Sequence, residues 1–139
     1  MNIQIAHTQE EITACYAVMA ELRPHLSQDD FLALVERMHK NHGYDLAYLD
    51  DNGIKAVAGI RIAEWLYTGK YLEIDDLITT AAARSQGYGA TLFDWVADYA
   101  RENHCVQLRL VSGVQRIDAH RFYENKGMKF EAKYFSLNL

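Results

Sequence analysis

The sequence contains few of the residues that mark disordered, secreted or membrane-spanning proteins. One proline, Pro24, is present among 139 residues, which argues against a disordered or proline-rich chain. The two cysteines, Cys15 and Cys105, lie far apart and form no Cys-x-x-Cys motif, so we expect buried free thiols and a cytoplasmic location. No apolar run has the length of a membrane span, and residues 1–9 lack the pattern of a signal peptide. We therefore expect no association with a membrane.

Clustered positive charge and metal-ligand patterns are also missing. The chain has 14 Lys and Arg against 19 Asp and Glu, a net charge of -5, with both signs mixed along the sequence. Because no basic stripe is present, nucleic acid is not an expected partner. His39 and His42 are three residues apart near a predicted helix end, but no third ligand lies nearby in sequence, so we expect no metal site.

The residues that are abundant predict one packed domain spanning 1–139. Apolar residues make up 50% of the chain and aromatic residues 12%, which is enough for a core. Periodicity and turn signals predict the order β-α-α-β-β-β-α-β-α-β. The predicted strands span 2–6, 44–49, 54–67, 71–79, 106–111 and 128–137, and the predicted helices span 10–22, 29–40, 91–103 and 117–126. A meander followed by a β-α-β unit predicts an α/β (α+β) three-layer domain, with a mixed central sheet and helices on both faces.

The most informative pattern is the heptapeptide Arg84–Ala90, which reads Arg-Ser-Gln-Gly-Tyr-Gly-Ala and joins a predicted strand to a predicted helix. The first N–H groups of a helix lack partners inside the helix, and the helix dipole favours negative charge there. Gly87 and Gly89 remove the Cβ atoms that would keep a phosphate from the backbone. The pattern therefore predicts a site for a phosphorylated ligand, although a helix entry that needs only flexible backbone would also explain the two glycines.

Two common phosphate-binding motifs do not fit this loop. A dinucleotide fingerprint needs a third glycine where Leu92 stands, and a P-loop needs Gly-Lys-Ser/Thr, which the chain lacks. The remaining pattern, Arg-x-x-Gly-x-Gly-Ala, resembles the Arg/Gln-x-x-Gly-x-Gly/Ala signature of the GCN5-related N-acetyltransferases (GNAT). In that family the loop cradles the pyrophosphate of coenzyme A.

A second motif strengthens the resemblance. Residues 119–128, Ala-His-Arg-Phe-Tyr-Glu-Asn-Lys-Gly-Met, are similar to the family pattern Ala-x-x-Phe/Leu-Tyr-x-x-x-Gly-Phe. Met128 replaces the usual Phe, which is a soft apolar exchange. A short amphipathic helix would explain this segment alone, but the two motifs and the element order together cover the whole chain. We therefore identify the sequence as similar to the GNAT superfamily.

The resemblance implies acetyl-CoA as cosubstrate and assigns residues to it. It places the end of the fourth strand against the pantetheine arm, where free backbone groups pair with the ligand amides and stabilise the oxyanion. Arg116 stands where many members have a cofactor-contacting Asn, and an Arg there is able to reach a phosphate. The implied cofactor-binding residues are Leu77, Ile78, Thr79, Arg84, Ser85, Gln86, Gly87, Tyr88, Gly89, Ala90 and Arg116.

The resemblance also implies catalytic roles. The family's tyrosine at the position of Tyr123 points at the cofactor sulfur, so we expect Tyr123 to protonate the leaving thiolate as general acid. Glu73 lies eleven residues before Arg84, the spacing of the catalytic glutamate in the histone-acetylating branch, and is the expected general base. A solvated or salt-bridged sheet edge explains Glu73 equally well.

Three further polar residues lie near these positions in sequence. Strand alternation predicts that Tyr71, Glu73, Asp75 and Leu77 share one face and that Asp76 takes the other. Asp75 is then a candidate for binding the amine, whereas Asp76 is either directed elsewhere or an internal hydrogen-bond acceptor. His120 lies one helical turn before Tyr123 and is a candidate substrate contact, with a structural role as the alternative.

The resulting hypothesis is an N-acetyltransferase that moves the acetyl group of acetyl-CoA to a small-molecule or peptide amine by direct attack. No cysteine takes a nucleophile position, which disfavours an acetyl-enzyme. The alternatives are a non-catalytic acyl-CoA-binding or regulatory module and an enzyme for a longer acyl chain. The sequence does not name the amine, and a homodimer is common in the family.

Overall fold

The structure, a computed structural model, describes residues Met1–Leu139. The chain forms two compact units, Met1–Arg109 and Leu110–Leu139. The strands are β1 (Asn2–Ile5), β2 (Asp45–Asp50), β3 (Ile54–Trp65), β4 (Gly69–Thr79) and β5 (Gln107–Leu110). The helices are α1 (Gln9–Leu22), α2 (Gln28–His42), α3 (Tyr88–Glu102) and α4 (Ile117–Asn125), with one short 3-10 turn at Ala81–Ala83. None of the helices combines the length and apolar composition that crossing a bilayer requires.

Local sequence signals set the ends of the first two helices. The Thr8 side chain accepts from the Glu11 amide and the Glu11 carboxylate accepts from the Thr8 amide, which is the predicted capping box of α1. The Ser27 side chain caps α2 with a single bond, which it accepts from the amide of Asp30. Gly43 ends α2 with a φ of 67°, a left-handed conformation that costs glycine little.

The central sheet has the strand order β1-β2-β3-β4-β5. Strands β1 to β4 pair antiparallel, and β2 to β4 form the predicted meander. The Val106 amide, just before β5, donates to the Lys70 carbonyl at the start of β4. The two strands therefore begin side by side and run parallel. The sheet is mixed, and the predicted α/β class is confirmed.

Helices cover both faces of this sheet in residues 1–109. On one face α1 and α2 enclose a core that includes Met19, Phe31, Leu46 and Val57. The alternate residues of the strands, Leu49 and Leu72 among them, are also fully buried and lie on the face packed by α3. The predicted inward residues of α3 are buried, namely Leu92, Phe93, Val96 and Ala100.

Strand β4 contains a bulge that the sequence pattern does not reveal. Gly59 of β3 pairs with Asp76, and the next residue, Ile60, pairs with Ile74. Asp75 is therefore an extra residue in β4.

The bulge makes the predicted division of β4 into two faces wrong. Arg61 pairs with Glu73 and Gly59 with Asp76, so Glu73 and Asp76 lie on the same face of the sheet. Leu77 pairs with Ala58 and lies on the opposite face. One extra residue in a strand reverses the alternation for every residue after it.

The second unit contains α4 and the C-terminal segment. Gly127, with a φ of 90°, follows the last turn of α4, and the amide of Met128 donates to the carbonyl of Tyr123. This is the predicted glycine stop of α4. The predicted final strand over 128–137 is wrong, since residues 128–139 have no helix or strand assignment. The alternating pattern is present, but an alternating sequence sets only a preference, because a strand also requires a backbone partner.

Candidate active site

The start of α3 has neither a side-chain cap nor an acidic residue in its first turn. The helix begins at Tyr88, three residues earlier than predicted, with Gly87 as N-cap at a φ of 84°. No side chain caps it and no acidic residue lies in its first turn, whereas α1 and α2 each have a side-chain cap and two acidic residues there. The first intrahelical bond runs from the Thr91 amide to the Gly87 carbonyl. The amides of residues 88–90 precede that bond and are available to an anion.

Neighbouring contacts hold this loop against the sheet. The Tyr88 hydroxyl donates a 2.7 Å hydrogen bond to Asp51 in the turn between β2 and β3. A Cβ atom at Gly89 would lie 3.0 Å from the Thr79 hydroxyl oxygen, so glycine permits the close approach of α3 to the end of β4. Ser85 has a φ of 65°, which adds a second left-handed residue to the loop.

The connection between β4 and the loop is fixed by a residue of α1. Glu21 accepts hydrogen bonds from the Thr80 hydroxyl at 2.6 Å and from the Ala81 amide at 2.9 Å. The bond from Thr80 is the main cause of a lowered pKa of Glu21. The bond from Ala81 and the positive charge of Arg84 act in the same direction. Arg84 itself is exposed, as are Ser85 and Gln86.

The last residues of β4 are paired on one side. Strand β5 has 4 residues and β4 has 11, so β5 accompanies only the first part of β4. Leu77, Ile78 and Thr79 pair with β3, beyond the reach of β5. Ile78 is buried and its two neighbours are half-buried. Within residues 1–109 their second backbone edge has no strand neighbour, and such an edge is able to pair with a strand-like ligand.

Glu73 is the buried carboxylate of β4. Its side chain is about 8% exposed, and its Oε1 accepts a 2.9 Å bond from Nε of Arg109 in β5. The Arg109 guanidinium lies 3.7 Å from the ring centroid of Tyr71 and 4.1 Å from that of Trp65. Two aromatic faces and one carboxylate therefore hold this cation in place.

The other two acidic residues of β4 are also paired with arginine. Asp75 accepts from Arg61 with both oxygens, at 2.5 Å and 2.9 Å. Asp76 accepts from Nε of Arg23 at 2.9 Å and from the Tyr44 hydroxyl at 2.7 Å, which confirms the interpretation of Asp76 as an internal acceptor. The three arginine partners were not predicted from the sequence, although a charged residue inside a predicted strand is a signal for such pairing.

The second unit contains the remaining candidate residues. Tyr123 is half-buried, and burial raises the pKa of its phenol while the charge of Arg116 opposes that rise. Arg116 is the exposed N-cap residue of α4. The ring of Tyr123 packs edge-on against Phe122 with 5.5 Å between centroids. His120 donates from Nε2 to the Gly113 carbonyl at 2.9 Å, a contact that ties α4 to the preceding loop.

A cavity of about 290 Å³ lies beside the Asp76 carboxylate in the first unit. Its walls come from α1, α2 and the loop between them, from Tyr44 just before β2 and from Asp76 of β4. The lining includes the apolar side chains of Met19, Leu26, Phe31, Leu34, Val35 and Met38, and the polar side chains of Arg23, His25, Tyr44 and Asp76. Six of the ten lining residues are apolar.

A comparison with protein-family models and a comparison with known proteins agree with each other. Residues 6–130 match the model of the acetyltransferase (GNAT) family. The chain is 38% identical over 130 residues to the uncharacterized N-acetyltransferase YhdJ of Bacillus subtilis, with 92% of each chain covered. It is 27% identical over 128 residues to the aminoalkylphosphonate N-acetyltransferase of Salmonella typhimurium, with 88% of this chain and 81% of that protein covered.

A solved structure shows the same fold. The putative acetyltransferase from Agrobacterium tumefaciens superposes over 100% of both chains with a TM-score of 0.85 and 21% identity. A likeness at 21% identity shows only the fold. The family membership is shown by the family match over residues 6–130 and by the 38% identical Bacillus relative. The chain belongs to the GNAT family of acetyltransferases, and its general activity is N-acetyl transfer with acetyl-CoA as the family's cosubstrate.

Proposed function

We propose that this protein transfers the acetyl group of acetyl-CoA to a primary amine by direct attack, with Tyr123 as general acid and Glu73 as general base. The observation that carries the proposal is the uncapped start of α3. Three backbone amides, a left-handed glycine and the absence of an acidic residue form a site that suits a pyrophosphate. The residues proposed to line it are Arg84, Ser85, Gln86, Gly87, Tyr88, Gly89 and Ala90, and Arg116 is proposed to contact a phosphate.

The pantetheine arm is proposed to lie along the end of β4. Leu77, Ile78 and Thr79 offer an open backbone edge, and the amides of pantetheine are able to pair with it as an added strand would. A backbone N–H at this edge is the proposed donor to the oxyanion of the tetrahedral intermediate.

The proposed reaction involves two proton transfers, one from the amine and one to the thiolate. The amine nitrogen bonds to the thioester carbonyl carbon, the C–S bond breaks, the amine proton passes to the base and the thiolate takes a proton from Tyr123. The proton on the base then returns to Tyr123 through solvent. A phenol is protonated at neutral pH, and burial raises the pKa of Tyr123 further, so its proposed donation depends on its position beside the sulfur rather than on its acidity. The free thiols, Cys15 and Cys105, suit a cytoplasmic location.

Glu73 is the proposed base because it is the buried carboxylate on β4. Arg109 engages its Oε1, so we assign the proton transfer to Oε2, directly or through water. Asp75 and His120 remain secondary candidates for contact with the acceptor. Asp75 already binds Arg61 with both oxygens, and His120 retains only Nδ1 as an acceptor beside its bond to Gly113.

The mostly apolar cavity beside Asp76 is the proposed acceptor site. Arg23 and His25 also line it, so amines that carry an anionic group belong in the first substrate screen together with simple alkyl amines. The aminoalkylphosphonates named for the Salmonella relative are one such class.

A binding measurement followed by an activity measurement tests the proposal. Acetyl-CoA at about one hundred times its Kd should stabilise the native state by roughly 2.7 kcal/mol, which raises the unfolding temperature. Release of free CoA thiol should then require an added amine. If no CoA species stabilises the protein, the proposal is wrong. Stabilisation without thiol release across the amine panel would instead favour the non-catalytic acyl-CoA-binding module.

A further inference from the structure

The 3-10 turn between β4 and the glycine loop receives its first hydrogen bonds from a different helix. The turn spans Ala81–Ala83, and its N-cap residue, Thr80, makes no side-chain capping bond. Glu21 of α1 accepts two bonds there instead, with Oε2 from the Thr80 hydroxyl at 2.6 Å and with Oε1 from the Ala81 amide at 2.9 Å. Hydrogen bonds to a carboxylate are stronger than those between neutral groups, so Glu21 fixes the turn from outside its own segment.

The backbone of Thr80 is held on a second side by the sheet. Its amide donates to the Lys55 carbonyl in β3 at 2.9 Å, and its carbonyl accepts from the Ala83 amide at 2.9 Å. Ala83 is buried, and Arg84, the first residue of the loop Arg84–Ala90, follows it directly. The bonds at Thr80 therefore set the direction in which the chain enters the loop.

A second residue at the end of α1 holds β4 on the other side of Leu77–Thr79. Arg23, the C-cap residue of α1, donates to the Asp76 carboxylate at 2.9 Å and to the Asp75 carbonyl at 3.3 Å. Arg23 thus contacts the residues just before Leu77–Thr79, and Glu21 contacts the residues just after them. The end of α1 anchors both ends of the β4 segment that is proposed to pair with pantetheine.

We propose that Glu21 is a positioning residue for the cofactor, which holds the turn at Thr80 and Ala81 so that the loop Arg84–Ala90 has its binding conformation before CoA binds. The inference rests on the proposed function, because it takes this loop to be the site of the pyrophosphate. A loop that is ordered in advance loses less conformational entropy when its ligand binds, so the ligand binds more tightly. Glu21 acts only through the turn and makes no contact with CoA.

The negative charge of Glu21 predicts the opposite effect on the cofactor. The charge acts on Arg84 and lies near a site proposed for an anion, so by itself it would weaken the binding of CoA. If Glu21 acted only through its charge, a neutral substitution would lower the Kd of CoA. Loss of the two bonds frees the turn and raises the Kd instead, so the direction of the change separates the two roles.

Calorimetric titration of the full chain with CoA tests the positioning role. Thr80→Val removes the hydroxyl bond without a change of charge and should raise the Kd of CoA about threefold to tenfold. Thr80→Ser retains the hydroxyl and should restore the wild-type Kd. Glu21→Ala removes both bonds and should also raise the Kd. Glu36→Ala is the matched control, since Glu36 is a carboxylate of α2 that accepts one bond, from Gln9 of α1.

Hydrogen exchange without ligand gives a readout that is independent of binding. The Ala81 amide should exchange about threefold faster or more in Glu21→Ala than in the wild type, while the unfolding temperature shows a folded chain. A Kd of CoA that is unchanged or lowered in Thr80→Val would overturn the positioning role and leave the proposed function intact. A wild type that binds no CoA would overturn the proposed function itself, and this inference with it.

Discussion

The Tyr44 hydroxyl donates a 2.7 Å hydrogen bond to Oδ2 of Asp76 inside the core formed by α1, α2 and the sheet. Arg23 donates to the other oxygen of Asp76 at 2.9 Å. Tyr44 is 3% exposed, and its burial, together with the charge of Asp76, raises the pKa of its phenol well above the usual value. The bond occupies the space beside Gly59, the residue that pairs with Asp76 across the sheet.

Replacing Gly59 with alanine should destabilise the protein by about 1–3 kcal/mol, because the new Cβ has no room. That atom would overlap the Tyr44 hydroxyl and lie 2.5 Å from Oδ2 of Asp76. Urea unfolding at neutral pH measures the change. Gly113→Ala is the control, since its Cβ would meet only the flexible Gln115 side chain. Equal stability of the two variants would show that the core around Tyr44 rearranges to accommodate the added methyl group at little cost.

A negative charge in the first turn of α3 should have opposite effects on stability and on cofactor affinity. Ala90→Glu should stabilise the free protein by roughly 0.3–1 kcal/mol, because a carboxylate interacts favourably with a helix N-terminus. The same charge should raise the Kd of CoA by roughly tenfold or more through repulsion of the pyrophosphate. Thermal unfolding and calorimetric titration measure the two quantities. Ala90→Gln is the neutral control, and an equal CoA affinity of the Glu and Gln variants would place the pyrophosphate elsewhere.

Removal of the Tyr123 hydroxyl should lower turnover without weakening the cofactor complex. We expect Tyr123→Phe to reduce kcat roughly tenfold or more while the Kd of acetyl-CoA stays near its original value. Because burial raises the pKa of Tyr123, any loss of kcat from deprotonation of this group should begin at a higher pH than it would for an ordinary phenol. Tyr67→Phe, at an 83% exposed position, is the control. Unchanged turnover in Tyr123→Phe with saturating amine would remove Tyr123 from the mechanism.

The ion pair between Glu73 and Arg109 should respond unequally to removal of its two partners. Arg109→Met leaves a buried carboxylate unpaired and should cost about 3–5 kcal/mol. Glu73→Gln leaves the guanidinium between Tyr71 and Trp65 with access to water, so it should cost less, about 1–3 kcal/mol. The double variant should recover part of the loss in a double-mutant cycle. Costs that simply add would show that the two side chains do not interact in solution.

The activity of these two variants separates a chemical role from a structural one. Glu73→Gln retains the shape of the side chain but not its basicity, so it should lower kcat at saturating acetyl-CoA and amine more than its modest loss of stability explains. If kcat is retained, the base is another group or a water molecule.

The sequence predicted the local structure well where a few neighbouring residues decide it. Thr8 and Ser27 cap the first two helices because a side-chain oxygen needs only the amide three residues on. The glycine loop before α3 was recognised for the same reason, since the open amides belong to consecutive residues. The family and the α/β class were therefore both accessible from the sequence, whereas the binding of the cofactor at this loop stays a prediction.

Tertiary structure alone decided the features that depend on residues distant in sequence. The bulge at Asp75 arises from the pairing of β4 with β3, and it places Glu73 and Asp76 on one face, contrary to simple alternation. The partners of the three carboxylates, Arg109, Arg61 and Arg23, come from other elements, and no spacing predicts them. Residues 128–139 have the sequence period of a strand but no strand assignment, because strand formation also requires pairing with a second backbone segment. A pattern within the chain sets the preference of a segment, whereas its hydrogen-bond partners and buried charges are set by the residues that folding brings beside it.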